Sequence, residues 1–169
     1  MSRFAVLALV LALGACSAQP AEEPEETASL EELEAAAGPV AGPTPVLPGD
    51  IAKLRVEQSA AVGPVVADRD HYTLYFHEKD GTNPPSSVCV EAECTLVWIP
   101  LLAAGGQIEA PDLDPKLLST FKRPDGLEQV TIGGHPVYRY VDDEGPGDAV
   151  GNGVDGRFAI SPAGAKAAR

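Results

Sequence analysis

Two segments of this chain carry the same polar pattern. Leu74-Tyr75-x-His77-x-x-Asp80 matches Val137-Tyr138-x-Tyr140-x-x-Asp143, each position shifted by 63. A phenol and a carboxylate are a proton donor and a proton acceptor. If the two segments met, Tyr75, Tyr138, Asp80 and Asp143 would form a paired polar site. In the alternative, each aspartate caps the loop after its strand, and the tyrosine fills the core with its hydroxyl bonded. Repetition favours this second, structural role, because a duplicated fold duplicates its framework. His77 shares its strand face with Tyr75, as Tyr140 does with Tyr138. It reads as a packed, hydrogen-bonded ring.

Other chemistry is thinner. His71, His77 and His135 are scattered, and Gly81 stands where a His-Glu-x-x-His zinc pattern needs its second histidine. The acidic loop at 142–156 offers Asp142, Asp143, Asp148 and Asp155 as weak calcium candidates. Their spacing fits neither an EF-hand nor a tandem nonapeptide. Residues 151–156 spell Gly-x-Gly-x-x-Gly, but they follow a loop and precede a strand, the wrong context for a dinucleotide site. No Gly-x-Ser-x-Gly and no P-loop occurs. No catalytic residue and no cofactor is expected.

The elements that position these residues read as strands. Residues 54–57 alternate. Residues 65–67 and 72–76, joined by Asp68-Arg69-Asp70, suggest a hairpin. Residues 128–132 and 135–140, joined by Gly133-Gly134, suggest another. Pro136 predicts an edge or bulged position for that strand. Residues 158–161 look like a last strand, and within the domain the only helical hints lie around 114–118. The expected fold is mainly β, with little helix: one small domain at 51–165, built of two similar hairpin-containing halves. Residues 166–169 are a tail.

The chain resembles bacterial lipoproteins built from a secreted repeat with a Tyr-x-aromatic-x-x-Asp motif. The resemblance spans about residues 60–165. It rests on Tyr75 with Asp80, Cys89, Cys94, Trp98-Ile99-Pro100-Leu101, Asp125-Gly126 with Gln129-Val130, Tyr138-Arg139-Tyr140 with Asp143, and Pro146-Gly147-Asp148 with Gly151. His77 stands where the first motif has an aromatic, Phe158 where tryptophan is usual, and Ile99 for the first proline of Trp-Pro-Pro. The resemblance implies export, anchoring and architecture, and no reaction.

The N-terminus agrees. Arg3, an apolar run at 4–13 and Gly14-Ala15 form an export signal over residues 1–15. Leu13-Gly14-Ala15-Cys16 reads as a lipobox, with Cys16 as the lipidated first residue of the mature chain. Resemblance to bacterial lipoproteins implies a diacylglycerol on the Cys16 thiol. In the Gram-negative lipoproteins it resembles, Ser17 at the next position implies transport to the outer membrane, with the protein on its periplasmic face. Cys89 and Cys94 then remain as an even pair, most simply a disulfide in an oxidising envelope. Two thiolate ligands are the rival reading, although no further pair at zinc spacing follows.

The formal net charge is −13. Residues 17–50 hold eight acids and no base, and residues 51–169 hold 17 acids and 11 bases. The stretch 16–50, rich in Ala, Glu and Pro, reads as a disordered tether with a root-mean-square span of roughly 30–35 Å. Within it, Ser29 could cap a short helix closed by Glu32. The acid excess argues against nucleic acid as a partner. These features predict a non-enzymatic envelope lipoprotein, held to the bilayer through acylated Cys16, that binds an envelope protein or small ligand. The alternative is a metal-, haem- or redox-associated accessory protein using His77, the tyrosines or the acidic loop.

Overall fold

The computed structural model describes residues 50–168. Cys16 and the stretches read above as an export signal, a tether and a Ser29-capped helix lie outside the described residues, but for Asp50.

In chain order the strands are β1 (Ala52–Ser59), β2 (Gly63–Asp68), β3 (Tyr75–His77), β4 (Gly81–Thr82) and β5 (Pro85–Ser86). One short helix, α1 (Ala92–Val97), leads into β6 (Trp98–Pro100). Then come β7 (Ile108–Glu109), β8 (Leu118–Lys122), β9 (Glu128–Ile132), β10 (His135–Pro136), β11 (Tyr138–Tyr140) and β12 (Arg157–Ala159). The fold is mainly β, arranged as several small sheets: β2-β1-β7, β10-β9-β8, β12-β3-β11-β6 and β4-β5. The expected helical hint is a 3-10 turn, Pro115–Leu117, with the Asp114 carboxylate accepting from the Lys116 N–H.

The Gly133-Gly134 hairpin forms as its turn chemistry requires. His135 pairs with Ile132 and Pro136 with Thr131, and both glycines take positive φ. Pro136 sits on an edge strand, where its missing N–H breaks no ladder.

The other expected hairpin forms only next to its turn. β2 makes its long ladder with β1, from Leu54↔Asp68 to Ser59↔Gly63, while the segment that follows pairs with it through the antiparallel Ala67↔Thr73 bridge and the bonds from the Asp68 N–H to the Tyr72 carbonyl and from the Leu74 N–H to the Val66 carbonyl. The Asp68 carboxylate accepts from the N–H groups of Asp70 and Tyr72 and closes a tight turn there. The chain then enters a different sheet, where β3 lies between β11 and β12.

That four-stranded sheet organises the molecule. Side chains alternate across it. Leu74, Phe76, Val137 and Ile160 enter one buried cluster with Leu54, Val66, Leu101, Val130 and Ile132. Tyr75, Tyr138, Trp98 and Ala159 enter a second, with Val62, Val65 and Cys89. Backbone hydrogen bonds tie the sheet to β2 and β9 in the same pattern on two sides. Leu74 donates to Val66, Val66 to Ile160 and Ile160 to Leu74. Val137 donates to Val130, Val130 to Leu101 and Leu101 to Val137.

The aromatic face is tightly filled. Trp98 stacks on Tyr140 with centroids 4.3 Å apart, and Tyr75 meets the Trp98 ring edge-on at 5.5 Å. A Cβ at Gly151 would lie 2.9 Å from Trp98 Cη2 and from Tyr140 Cγ, both stiff ring atoms. Gly151→Ala is therefore expected to destabilise the fold by about 1–3 kcal/mol, as overpacking does. Urea unfolding followed by Trp98 fluorescence measures it, and an unchanged midpoint would show that this face gives way freely.

Candidate functional site

β3 and β11 lie side by side, antiparallel, with Tyr75 directly opposite Tyr138. Each strand ends a few residues before its aspartate. Neither tyrosine bonds the aspartate of its own motif. The Tyr75 hydroxyl donates to Asp143, 2.8 Å from Oδ2 and 3.1 Å from Oδ1. The Tyr138 hydroxyl donates to Asp80 Oδ2 at 2.8 Å and lies 2.7 Å from Ser87 Oγ. The aspartates also hold their own loops. Asp80 Oδ1 accepts from the Val88 N–H and Asp143 Oδ1 from the Val150 N–H. All four side chains are buried.

The two sequence readings thus merge. The four residues meet in one buried network, in which each phenol donates to the other motif's aspartate and each aspartate also accepts from a loop N–H. Burial and the neighbouring Asp143 charge push the Tyr75 phenol well above its ordinary range, and burial does the same for Tyr138 beside Asp80. Both phenols stay protonated as donors. Burial pushes Asp143 up to about 6, against the opposing effect of the Tyr75 and Val150 hydrogen bonds. A groove of about 250 Å³ at Leu102, Gly105, Gly126 and Glu128 shares no residue with this network.

His77 is a packed ring, as its sequence position suggests. Its Nδ1 accepts from the Lys79 N–H and its Nε2 lies 3.0 Å from the Asp155 carbonyl oxygen. His71 lies on a surface turn between Arg55 and Glu57, and His135 packs against Phe76 at 4.4 Å. In the acidic loop, Asp148 Oδ2 accepts from the N–H groups of Glu144 and Gly145, Asp143 turns inward to Tyr75, and Asp142 is exposed. Among the described residues no three His, Cys, Asp or Glu side chains gather into a metal-holding group.

Cys89 and Cys94 are joined by a disulfide, with Cα atoms 5.5 Å apart. It pins the segment that carries α1. Cys89 is buried against the aromatic face, and its carbonyl accepts from Ser87 Oγ and from Arg123 Nη2. No residue of α1 is buried, and Leu96 is 74% exposed. Val88, Val90, Val97 and Val141 are also exposed, and the Val141 N–H donates to the Val97 carbonyl.

Two of the buried arginines lie within strands and outside the Tyr/Asp pattern. Arg139, between the motif tyrosines, points to the opposite sheet face and ion-pairs with Asp68 and Asp70. Arg157 lies over the Trp98 ring with Cζ 4.6 Å from its centroid, and its Nη2 is 3.2 Å from Cys94 Sγ. The signal for both was present: a charged residue inside a short strand that is otherwise apolar.

Fold and site together define a small β-rich unit held closed by two exchanged Tyr–Asp hydrogen bonds. Residues 119–159 match the family model described as a secreted repeat of unknown function. The matched segment runs from β8 through β12 and contains Tyr138, Tyr140 and Asp143. No curated protein and no solved structure matches the chain. Among the described residues no helix is long and apolar enough to cross a membrane.

Proposed function

We propose that this chain is a lipid-anchored envelope protein whose folded part is a module for binding another protein. The observation that carries the binding role is an inversion of the usual surface. The motif acids and phenols are turned inward and consumed, while Leu96, Val97, Val88, Val90 and Val141 stay exposed along the disulfide segment and the loop beside it. The exposed carboxylates of Glu91, Glu93, Asp142 and Glu144 flank these apolar residues in sequence. Apolar groups amid acids suit a protein surface that presents apolar side chains beside Lys or Arg. Such a rim repels an anionic lipid surface and the acidic 17–50 stretch alike.

The folded part reads as two copies of one unit, offset by 63 residues, with their last strands exchanged. Supporting this are the exchanged Tyr–Asp bonds and the two matching sets of backbone bonds around Leu74 and Val137. The family match, 119–159, has the length of one such unit. The Leu13-Gly14-Ala15-Cys16 lipobox supports an anchor at Cys16, with the module in the cell envelope on an acidic tether.

Two experiments test this function. Cys16→Ser is expected to move the protein from the membrane to the soluble fraction, and retention on the membrane would overturn the anchor. A photo-crosslinker at Leu96 in the full chain is expected to trap one discrete protein, lost when Val97 is changed to Asp. A crosslinker at Lys122, in β8, serves as the control. The same products from both positions would overturn the binding surface.

A further inference from the structure

The disulfide has a neighbour that a purely structural bridge does not need. Arg157 is buried, with 6% of its surface exposed, and its Nε has no hydrogen-bond partner. Its guanidinium lies on the Trp98 ring, and its one hydrogen bond among the described residues runs from Nη2 to Cys94 Sγ at 3.2 Å. No carboxylate among the described residues stands within ion-pair distance of it. Asp80, Asp155 and the Tyr138 phenol act on it only through space, and burial pushes its pKa down. A disulfide sulfur is a neutral, weak acceptor. A buried cation left against it lacks the anion that would offset its desolvation. Reduction supplies that anion, because a thiolate at Cys94 would face the guanidinium directly.

The two sulfurs are also unequal. Cys89 is fully buried on the aromatic face, whereas Cys94 is half-buried on a helix that buries nothing. An incoming group meets Cys94 first, beside exposed Leu96 and Val97. We propose that Cys89–Cys94 is a thiol–disulfide exchange site, with Cys94 the attacking and attacked sulfur, Cys89 the resolving one, and Arg157 the cation that holds the Cys94 thiolate. The substrate class is a protein carrying a cysteine pair at its surface. This goes beyond the binding role and stands on separate observations, the contact of Arg157 with Cys94 and the unequal burial of the two sulfurs.

The exchange balances. A thiolate of the partner's dithiol attacks Cys94 Sγ, the Cys89–Cys94 bond breaks, and Cys89 leaves as a thiolate that takes a proton. The partner's second thiol, as its thiolate, attacks the partner sulfur of the mixed disulfide. Cys94 departs as the thiolate paired with Arg157, and the partner leaves as a disulfide. Two electrons pass from the partner to this chain. In reverse, the Cys94 thiolate attacks a partner disulfide and Cys89 resolves the mixed species.

The test uses the full chain carrying Cys16→Ser, so that only two thiols report. After reduction with dithiothreitol, iodoacetamide labelling is followed against pH and mapped by peptide mass. Cys94 is expected to label first, about tenfold faster than Cys89, with its midpoint below about pH 7.5 instead of near 8.5. Glu91 and Glu93 on the same segment, and Asp80 and Asp155 near Arg157, oppose that shift, so a lowered midpoint reports the guanidinium. In glutathione buffers Arg157→Gln is expected to make the disulfide about tenfold harder to reduce, while Arg157→Lys keeps much of the effect. An ordinary midpoint at Cys94, equal labelling of both thiols, an unchanged equilibrium in Arg157→Gln, or loss of the fold on reduction would each overturn the site. Should Arg157→Gln not fold, the labelling profile of the chain with Arg157 intact decides alone.

Discussion

Arg139→Met is expected to cost the folded state about 3–5 kcal/mol at neutral pH, the usual penalty for orphaning one half of a buried ion pair. Arg139 and Asp68 are each 1% exposed, and the guanidinium also reaches Asp70 at 3.2 Å. Methionine fills much of the volume but leaves the Asp68 carboxylate with only the N–H donors of Asp70 and Tyr72. Burial already raises the Asp68 pKa above 3.8, and the Arg139 charge is the largest effect opposing that rise. Removing it raises the pKa further. A raised folded-state pKa means that folding takes up a proton, so stability falls as pH rises through the window between the unfolded and folded values. The deficit of Arg139→Met is therefore expected to shrink as the pH falls toward 4. Adding Asp68→Leu removes the stranded charge and is expected to recover most of the loss. Urea unfolding of the single and double variants at two pH values checks this. A double variant as weak as the single one would mean that charge was not the cause.

The part of the fold that is legible in the sequence is the part that local chemistry decides. The turn at Gly133-Gly134 needs positive φ at both positions, and few residues other than glycine supply it. Asp114 before Pro115 announces its 3-10 turn for a similar reason. β2 is different. Its hydrophobic run is visible, but its long ladder is with β1 and its pairing with the segment that follows stops after Leu74, and that choice is made by burial across the whole unit. Helix α1 left no periodic apolar signal because it buries no residue. It is held by the disulfide and its loop.

The same division runs through the site. The spacing of Tyr75 and Asp80 from Tyr138 and Asp143 is plain in the chain, and so is the burial of the rings. Which tyrosine meets which aspartate is not. Each aspartate lies beyond the end of its own strand, so a tyrosine pointing off the sheet reaches the loop that follows the neighbouring strand. The partner is 68 residues away for Tyr75 and 58 for Tyr138. The roles of Arg139 and Arg157 are not legible, because a charge in a short strand is ambiguous until its counter-ion, or its lack of one, is known.

Tyr75→Phe is expected to cost about 1.5–3 kcal/mol near pH 7.5, the worth of a hydrogen bond to a charged group, and markedly less near pH 5. Asp143 is 2% exposed, and its pKa is about 6 in the folded state against 3.8 as a free side chain. The sign follows from the linkage. The folded state binds the proton more tightly, so this group costs nothing below about pH 4. Its penalty grows as pH rises toward 6 and is complete, at about 3 kcal/mol, above that. The Tyr75 hydroxyl favours the anion and lowers that penalty. Without the hydroxyl the carboxylate is dearer to bury where it is charged, and little changes where it is protonated. Asp143→Asn separates the two effects. Its amide oxygen can still accept from Tyr75 and it never ionises, so its stability is expected to match or exceed that of the unmodified chain at pH 7.5, with the fall between pH 4 and 6.5 flattened. Chemical unfolding of the three proteins across that range decides the matter. An equal cost of Tyr75→Phe at both ends would mean that the phenol contributes packing alone. The exchanged hydrogen bond would then be a consequence of how β3 and β11 meet, and no cause of it.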